Sequence, residues 1–290
     1  RWLIVVFALT LSLQAAAADR VDWPVYLGGP QRNLYSPLRQ IDRGNVARLE
    51  VAWTYDTGEK GEYQSNNLII DGVLYTATPS RRIIALDAAS GKVVWDVLTI
   101  PAGAPYAITG APRIAKGKVL IGQGGSEFAQ RGYLSAYDAE TGKLDWRWYI
   151  VPGDPKLGFE NKQMEIAAKT WSGEWWKTGG GGAPWDGITY DPETGLVYVG
   201  TGNGAPWPSE IRAPGGGDHL FLSSIVALKL DTGEYAWHYQ TTPGDVWDYD
   251  ATQTLSLATL NIQGQPRQVV MQAGKNGFFY VLDRKNGALL

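Results

Sequence analysis

From Val21 onward, short apolar runs alternate with turn signals, and helical periodicity is scarce. Examples are LIIDGVLYT (Leu68–Thr76), KGKVLIG (Lys116–Gly122) and GLVYVGTG (Gly195–Gly202). The first reads as strand, Asp-Gly turn and strand, which is a hairpin. A longer unit recurs. Residues 83–95 read IIALDAASGKVVW, residues 134–146 LSAYDAETGKLDW, residues 225–237 IVALKLDTGEYAW, and residues 279–290 FYVLDRKNGALL. The frame is an apolar strand, an acid, a turn, Gly, then a strand ending in Trp. The turn glycines Gly91, Gly142, Gly233 and Gly287 supply the positive φ of a tight hairpin. The Trp four residues later is large enough to fill the gap between neighbouring sheets. A strand repeat of about fifty residues predicts an all-β propeller with one four-stranded blade per repeat, about four blades in all. A β-sandwich with chance hairpin similarity is the competing fold, and four copies sharing turn and flanks argue against it. Residues 153–178 break the rhythm and read as an insertion near the face where propeller loops form sites, or as a solvated loop.

Composition narrows the chemistry. The 290 residues include 36 Gly, 13 Trp and 15 Tyr, which suits tight turns and ring-filled packing between sheets. There is no Cys, so disulfides, thiolate metal sites and Cys nucleophiles are excluded for this chain. Two His cannot build a multi-His metal site, so any hard metal must be held by oxygens. A formal net charge of −3 gives no reason to expect nucleic acid as a partner. Residues 1–18 read as a cleavable signal peptide, with Arg1, an apolar run LIVVFALTLSL and small residues Ala15 to Ala18. The mature region, residues 19–290, is therefore expected in the periplasm. The sequence begins with Arg rather than Met and is read as lacking a few upstream residues.

At these repeats the chain resembles the PQQ-dependent quinoprotein alcohol dehydrogenases, whose tryptophan-docking motif is roughly A-x-D-x-x-T-G-x-x-x-W. The resemblance also takes in the opening WPVYLGGPQRNLYSPLRQI, the segment GGSEFAQRGYLSAYD, the run GGGGAPWDGITYDPETGLVYVGTGNGAPW and the segment PGDVWDYDATQ. It is strongest to the ethanol-type enzymes, including those with a fused haem domain. It implies an eight-bladed propeller, here partial, with PQQ at its centre and a calcium or lanthanide ion at the edge of PQQ. The implied metal ligands are Glu127, Asn203 and Asp248, hard oxygen donors that suit such a cation. Asp248 is also implied as the general base that takes the alcohol proton, with the cation as Lewis acid. Asp250, two residues on, resembles the second Asp of the lanthanide-using members and points to a trivalent ion. Trp185 is implied as the ring under the PQQ plane, and glycines 179–182 let backbone approach it. Lys275, Thr109, Gly125, Ser126 and Gln64 complete the implied cofactor contacts. A small alcohol is the implied substrate and a c-type cytochrome the implied electron acceptor. A haem c, if there is one, belongs to a region beyond Leu290. The sequence sets neither the alcohol nor the oligomeric state.

The chain departs from the family in three places. The adjacent cysteines and the Val-Asn-Arg-Gly segment that contact PQQ in the family are missing, as though one internal blade were lost in register between two docking motifs. Gln64 stands where the family has Glu, and Asn66-Asn67 where it has Thr-Pro. The sequence stops at Leu290 inside a docking motif, so the second half of the circle is expected to be absent and the chain alone to be unstable and inactive. Two readings therefore stand beside the enzyme. One is a degenerate propeller that keeps the fold without PQQ. The other is a non-enzymatic propeller, which Glu127, Asn203, Asp248 and Trp185 disfavour.

Overall fold

The computed structural model describes residues 20–29 and 33–290. The expected signal peptide, residues 1–18, lies outside them. Among the described residues, the alternation read from the sequence becomes four antiparallel blade sheets in chain order and one two-stranded pair. The first holds β1 (Leu68–Ile70), β2 (Val73–Ala77), β3 (Arg82–Asp87) and β4 (Val93–Leu98). The second holds β5 (Arg113–Ala115), β6 (Lys118–Ile121), β7 (Tyr133–Asp138) and β8 (Leu144–Tyr149). After the two-residue strand β9 (Gly180–Gly181), the third is built from β10 (Ile188–Asp191), β11 (Leu196–Gly200), β13 (Ser224–Lys229) and β14 (Tyr235–Gln240). Between β11 and β13 lies β12 (Gly204–Ala205), which pairs with β9. The fourth sheet has three strands, β15 (Ser256–Ile262), β16 (Gln265–Ala273) and β17 (Phe279–Asp283). Each sheet is a meander of neighbouring strands, as a propeller blade requires.

Inner strands of the second and third sheets are apolar on both faces because each of these sheets is sandwiched between two others. In β6, Val119 and Ile121 join a core with Tyr75, Ile83 and Trp95 of the first sheet. Leu120, between them, joins the core shared with Val197, Val199 and Val226 of the third. In β13, Val226 and Leu228 face that core while Ile225 and Ala227 face Val270 and Leu282 of the fourth sheet. The period of two therefore sends alternate residues to opposite neighbours. Among the described residues, the first and last sheets share no core cluster, so the blades form a series and not a closed ring.

The repeated Trp fastens each blade to the next. Trp95 Nε1 donates to Ala139 O (2.8 Å), Trp146 Nε1 to Leu230 O (2.8 Å) and Trp237 Nε1 to Arg284 O (3.0 Å). Each ring covers the turn glycine of the following repeat, so a Cβ on Gly142 would lie 2.8 Å from Trp95 Cδ2 and one on Gly233 2.6 Å from Trp146 Cδ2. The glycines are thus fixed twice, by φ values of 69° and 70° and by the ring above them. A register shift precedes each of these Trp residues, at Ala85/Leu86, Ala136/Tyr137 and Ala227/Leu228. Such a bulge re-aims the strand's last side chains. Trp53, outside any repeat read from the sequence, does the same to Gly91, and its Nε1 donates to Ala88 O (3.1 Å). Because Trp95 docks on Gly142 directly, the first two sheets pack with no space for a blade between them.

Residues 153–178 are an insertion, but not a solvated loop. Asn161 caps α1 (Lys162–Ala168) by accepting from Met164 N (3.0 Å). Met164 and Ala167 are buried, and Trp171 and Trp175 pack with Val151, Ala213 and Leu222.

Candidate functional site

The loop after β14 carries three acids. Asp245 is buried and accepts from Trp247 N (2.9 Å), Tyr249 N (2.9 Å) and Ser223 Oγ (2.8 Å), which curls the loop around its carboxylate. The curl turns Asp248 and Asp250 toward one cation. Lys275 Nζ lies 2.9 Å from Asp248 Oδ2 and 3.5 Å from Asp250 Oδ2. Simple strand alternation would put both acids on one side, but the cause here is different. Asp248 has φ 63°, a left-handed conformation that its surroundings must hold in place. Asp250 is buried and accepts from Asn203 N (2.8 Å), so Asn203 and both acids belong to one cluster. Burial, and after it the repulsion of Asp248, push the Asp250 carboxyl above its ordinary range, against the pull of Asn203 N and Lys275. Partial burial works against the Lys275 ammonium, but hydrogen bonding to Asp248 and the charge of Asp250 prevail and raise it.

The other sequence-predicted residues fall into two neighbouring cavities. Glu127 sits in a single 3-10 turn, Ser126–Phe128, entered through Gly125 at φ 104°. Ser126 is buried, and its Oγ accepts from Ala183 N (3.0 Å), tying this turn to the glycine run. Glu127 lines a cavity of about 280 Å³ with Thr178, Ala205, Pro206 and Trp207. Neither Asp248 nor Asp250 lines that cavity, and among the described residues no three acids or imidazoles converge on one point. Trp185, 39% exposed, lines a second cavity of about 260 Å³ with Thr109, Asn66, Tyr26 and Asp186. Gln64 is exposed and donates to Glu62 (3.2 Å), so the side chain that reaches Thr109 and Trp185 is Asn66. Sequence reading noted Asn66 only as a departure from the family pattern.

Glycines let these pieces approach each other. A Cβ on Gly122 would collide with Pro184 O, one on Gly132 with Gly182, and one on Gly200 with Ala251 O. Such backbone-on-backbone contact, where the blades converge, leaves no space for side chains. Sequence reading also missed Arg212, His219 and Asp245, three buried polar residues behind the acids. Burial, which could have signalled them, is not visible in a linear pattern.

As a test of fit, the Asp248–Asp250 pair already closes on a cation, the ammonium of Lys275, and Trp185 offers an exposed flat ring beside the Thr109 hydroxyl. These features fit a metal and a planar cofactor. Glu127 stands apart from the acid pair.

Comparison with known proteins identifies the family and the fold. The family model for the glucose/ethanol/alcohol dehydrogenase β-propeller domain (PQQ) matches residues 23–102 and 97–290. The two matches meet in the β4–β5 connection, where an internal blade was expected to be missing. The quinohemoprotein alcohol dehydrogenase ADH IIB of Pseudomonas putida is 49% identical over 308 residues, covering 88% of this chain and 45% of the relative. The crystal structure of the Comamonas testosteroni quinohemoprotein alcohol dehydrogenase superposes with a TM-score of 0.76 at 43% identity, covering 95% of this chain and 49% of that one. A europium-containing methanol dehydrogenase superposes with a TM-score of 0.72 at 31% identity, covering 92% and 57%. The chain spans about half the length of the curated relatives it matches. Fold, docking motifs and these matches together show that the chain belongs to the family of PQQ-type glucose/ethanol/alcohol dehydrogenase β-propellers.

Proposed function

We propose that the chain carries the PQQ- and cation-binding part of a periplasmic dehydrogenase that oxidises alcohols to aldehydes and passes electrons to a c-type cytochrome. The observation that carries this reading is the closure of Asp248 and Asp250 on one cation beside Asn203. When bound, PQQ supplies the hydride acceptor and the metal a Lewis acid. Asp248 accepts the alcohol proton on its carboxylate, and Lys275, 2.9 Å away, orients that carboxylate. Asp248, Asp250 and Asn203 offer oxygens for the metal, and Glu127, set apart from them, is the further acid that the family resemblance adds. Trp185 presents its ring, Thr109 a hydroxyl and Asn66 an amide, and Gly125 and Ser126 shape the turn that carries Glu127. The second acid favours a trivalent ion, since more ligand charge offsets more metal charge. A similar solved protein described as europium-containing supports this choice.

A second reading, a propeller that keeps the fold without the cofactor, is favoured by Gln64 in place of an acid and by the lack of any cysteine. Titration with PQQ plus calcium or lanthanum, followed by tryptophan fluorescence, separates the two. Saturable quenching that needs both components, is tighter with lanthanum and is diminished in Trp185→Phe supports the first. No quenching with either ion supports the second. Tighter binding with calcium removes the lanthanide preference.

A further inference from the structure

Arg212, at the end of the short helix α2 (Ser209–Arg212), is 1% exposed, yet none of its hydrogen bonds goes to a carboxylate. Its Nη1 donates to Pro206 O (2.6 Å) and Trp207 O (2.8 Å), in the wall of the Glu127 cavity. Its Nη2 donates to Asp245 O (2.8 Å), in the loop that carries Asp248 and Asp250. Gly204 lies flat on the guanidinium, so a Cβ there would stand 2.6 Å from Arg212 Nε. Gly204 directly follows Asn203. One buried fork thus touches the segment of Asn203, the wall of the Glu127 cavity and the loop that bears Asp248 and Asp250.

The remaining contacts fix the fork in place. Arg212 Nη2 also donates to His219 Nδ1 (3.1 Å), and because guanidinium only donates, His219 must be neutral with its proton on Nε2. His219 is fully buried and packs against the Trp171 ring at 4.9 Å. Burying a charge with so few counter-charges is expensive unless its donors are satisfied; carbonyls satisfy Nη1 and Nη2 here, while Nε, against Gly204, has no partner among the described residues. The planar fork sets its two Nη donors at a fixed separation, so it reaches carbonyls on two loops at once.

We propose that Arg212 is a positioning residue for the cation site, holding the Asn203–Gly204, Pro206–Trp207 and Asp245–Asp250 segments in mutual register. This rests on the reading of that site given above. The test uses hydrogen exchange and terbium binding on the 290-residue chain, comparing the parent with Arg212→Lys and, in case that variant folds poorly, Gly204→Ala, which presses on the fork from the other side. In either variant the amides of Asn203, Trp247 and Tyr249 should exchange about tenfold faster or more, while those of β13 stay unchanged. The terbium dissociation constant, read from tryptophan-sensitised luminescence, should rise about tenfold. Loosening of one segment only, loosening that extends through β13, or no loosening overturns the proposal. Loosening at Asn203 and in the Asp245–Asp250 loop with unchanged terbium affinity also overturns it, since Arg212 would then be structural alone. A parent that gives no sensitised terbium signal refutes the cation reading instead, and the exchange data then decide the role of Arg212.

Discussion

Replacing Trp146 with Phe tests the docking of one blade on the next. Trp146 is 9% exposed, covers Gly233 and donates from Nε1 to Leu230 O (2.8 Å). Phe keeps an aromatic ring but loses the donor, leaving a buried carbonyl without that partner at a cost of about 1–3 kcal/mol. The missing ring atoms remove roughly 40 Å² of buried apolar surface, or about 1 kcal/mol. Trp146→Phe should therefore destabilise the chain by about 2–4 kcal/mol, and Trp146→Ala by about 3–5 kcal/mol. Urea unfolding followed by far-ultraviolet circular dichroism, at unchanged m, measures this. A cycle with Gly233→Ala isolates the contact. In the parent, the new Cβ meets the Trp146 ring and also suffers the left-handed φ of 70°. In the Trp146→Ala background only the backbone cost, about 1 kcal/mol, remains. Trp146→Phe within about 0.5 kcal/mol of the parent, or Gly233→Ala costing the same in both backgrounds, would refute the docking argument.

Burial, then the nearby Arg212 charge, lower the His219 pKa from its ordinary 6.5 to about 4, against weaker upward pulls from the Gly216 backbone and Asp218. Between those values the unfolded chain binds a proton that the folded chain refuses, so stability should fall as pH drops from 6.5 to 4. The loss from this group is at most about 3 kcal/mol, and His219→Gln should flatten that part of the profile of melting temperature against pH. Gly200→Ala should prevent soluble folding, because its Cβ collides with Ala251 O, whereas Gly195→Ala, with open space around it and φ 72°, should cost only about 1 kcal/mol in a urea melt. Lys275→Met should tighten terbium binding in the absence of PQQ by about tenfold, since the ammonium no longer competes for Asp248 and Asp250; weaker binding would show that Lys275 supports the pair and does not occupy it.

The propeller was legible because its signals are local. A strand, a Gly turn and a Trp at fixed spacing form a hairpin whose needs are set within a dozen residues, and inner strands such as IVAL are apolar on both faces whatever the rest of the chain does. The acid pair Asp248 and Asp250 and the exposed ring of Trp185 were singled out for the same reason, as short motifs in loops. Trp53 escaped notice because Leu49, and not Gly, stands four residues before it, so it falls outside the repeated frame; only its docking on Gly91 reveals it.

The sequence by itself determined the blade unit, the docking glycines and the acids that could meet a cation. The tertiary structure decided which of them meet. It brought Lys275 to Asp248 and Asp250, put Asn66 and not Gln64 beside Trp185, kept Glu127 in a separate cavity and buried Arg212 behind all three segments. The physical reason is that hairpin formation depends on neighbours in sequence. A site where blades converge depends on backbone approaching backbone, at Gly122, Gly132 and Gly200, and on polar groups satisfied across loops that no linear spacing links.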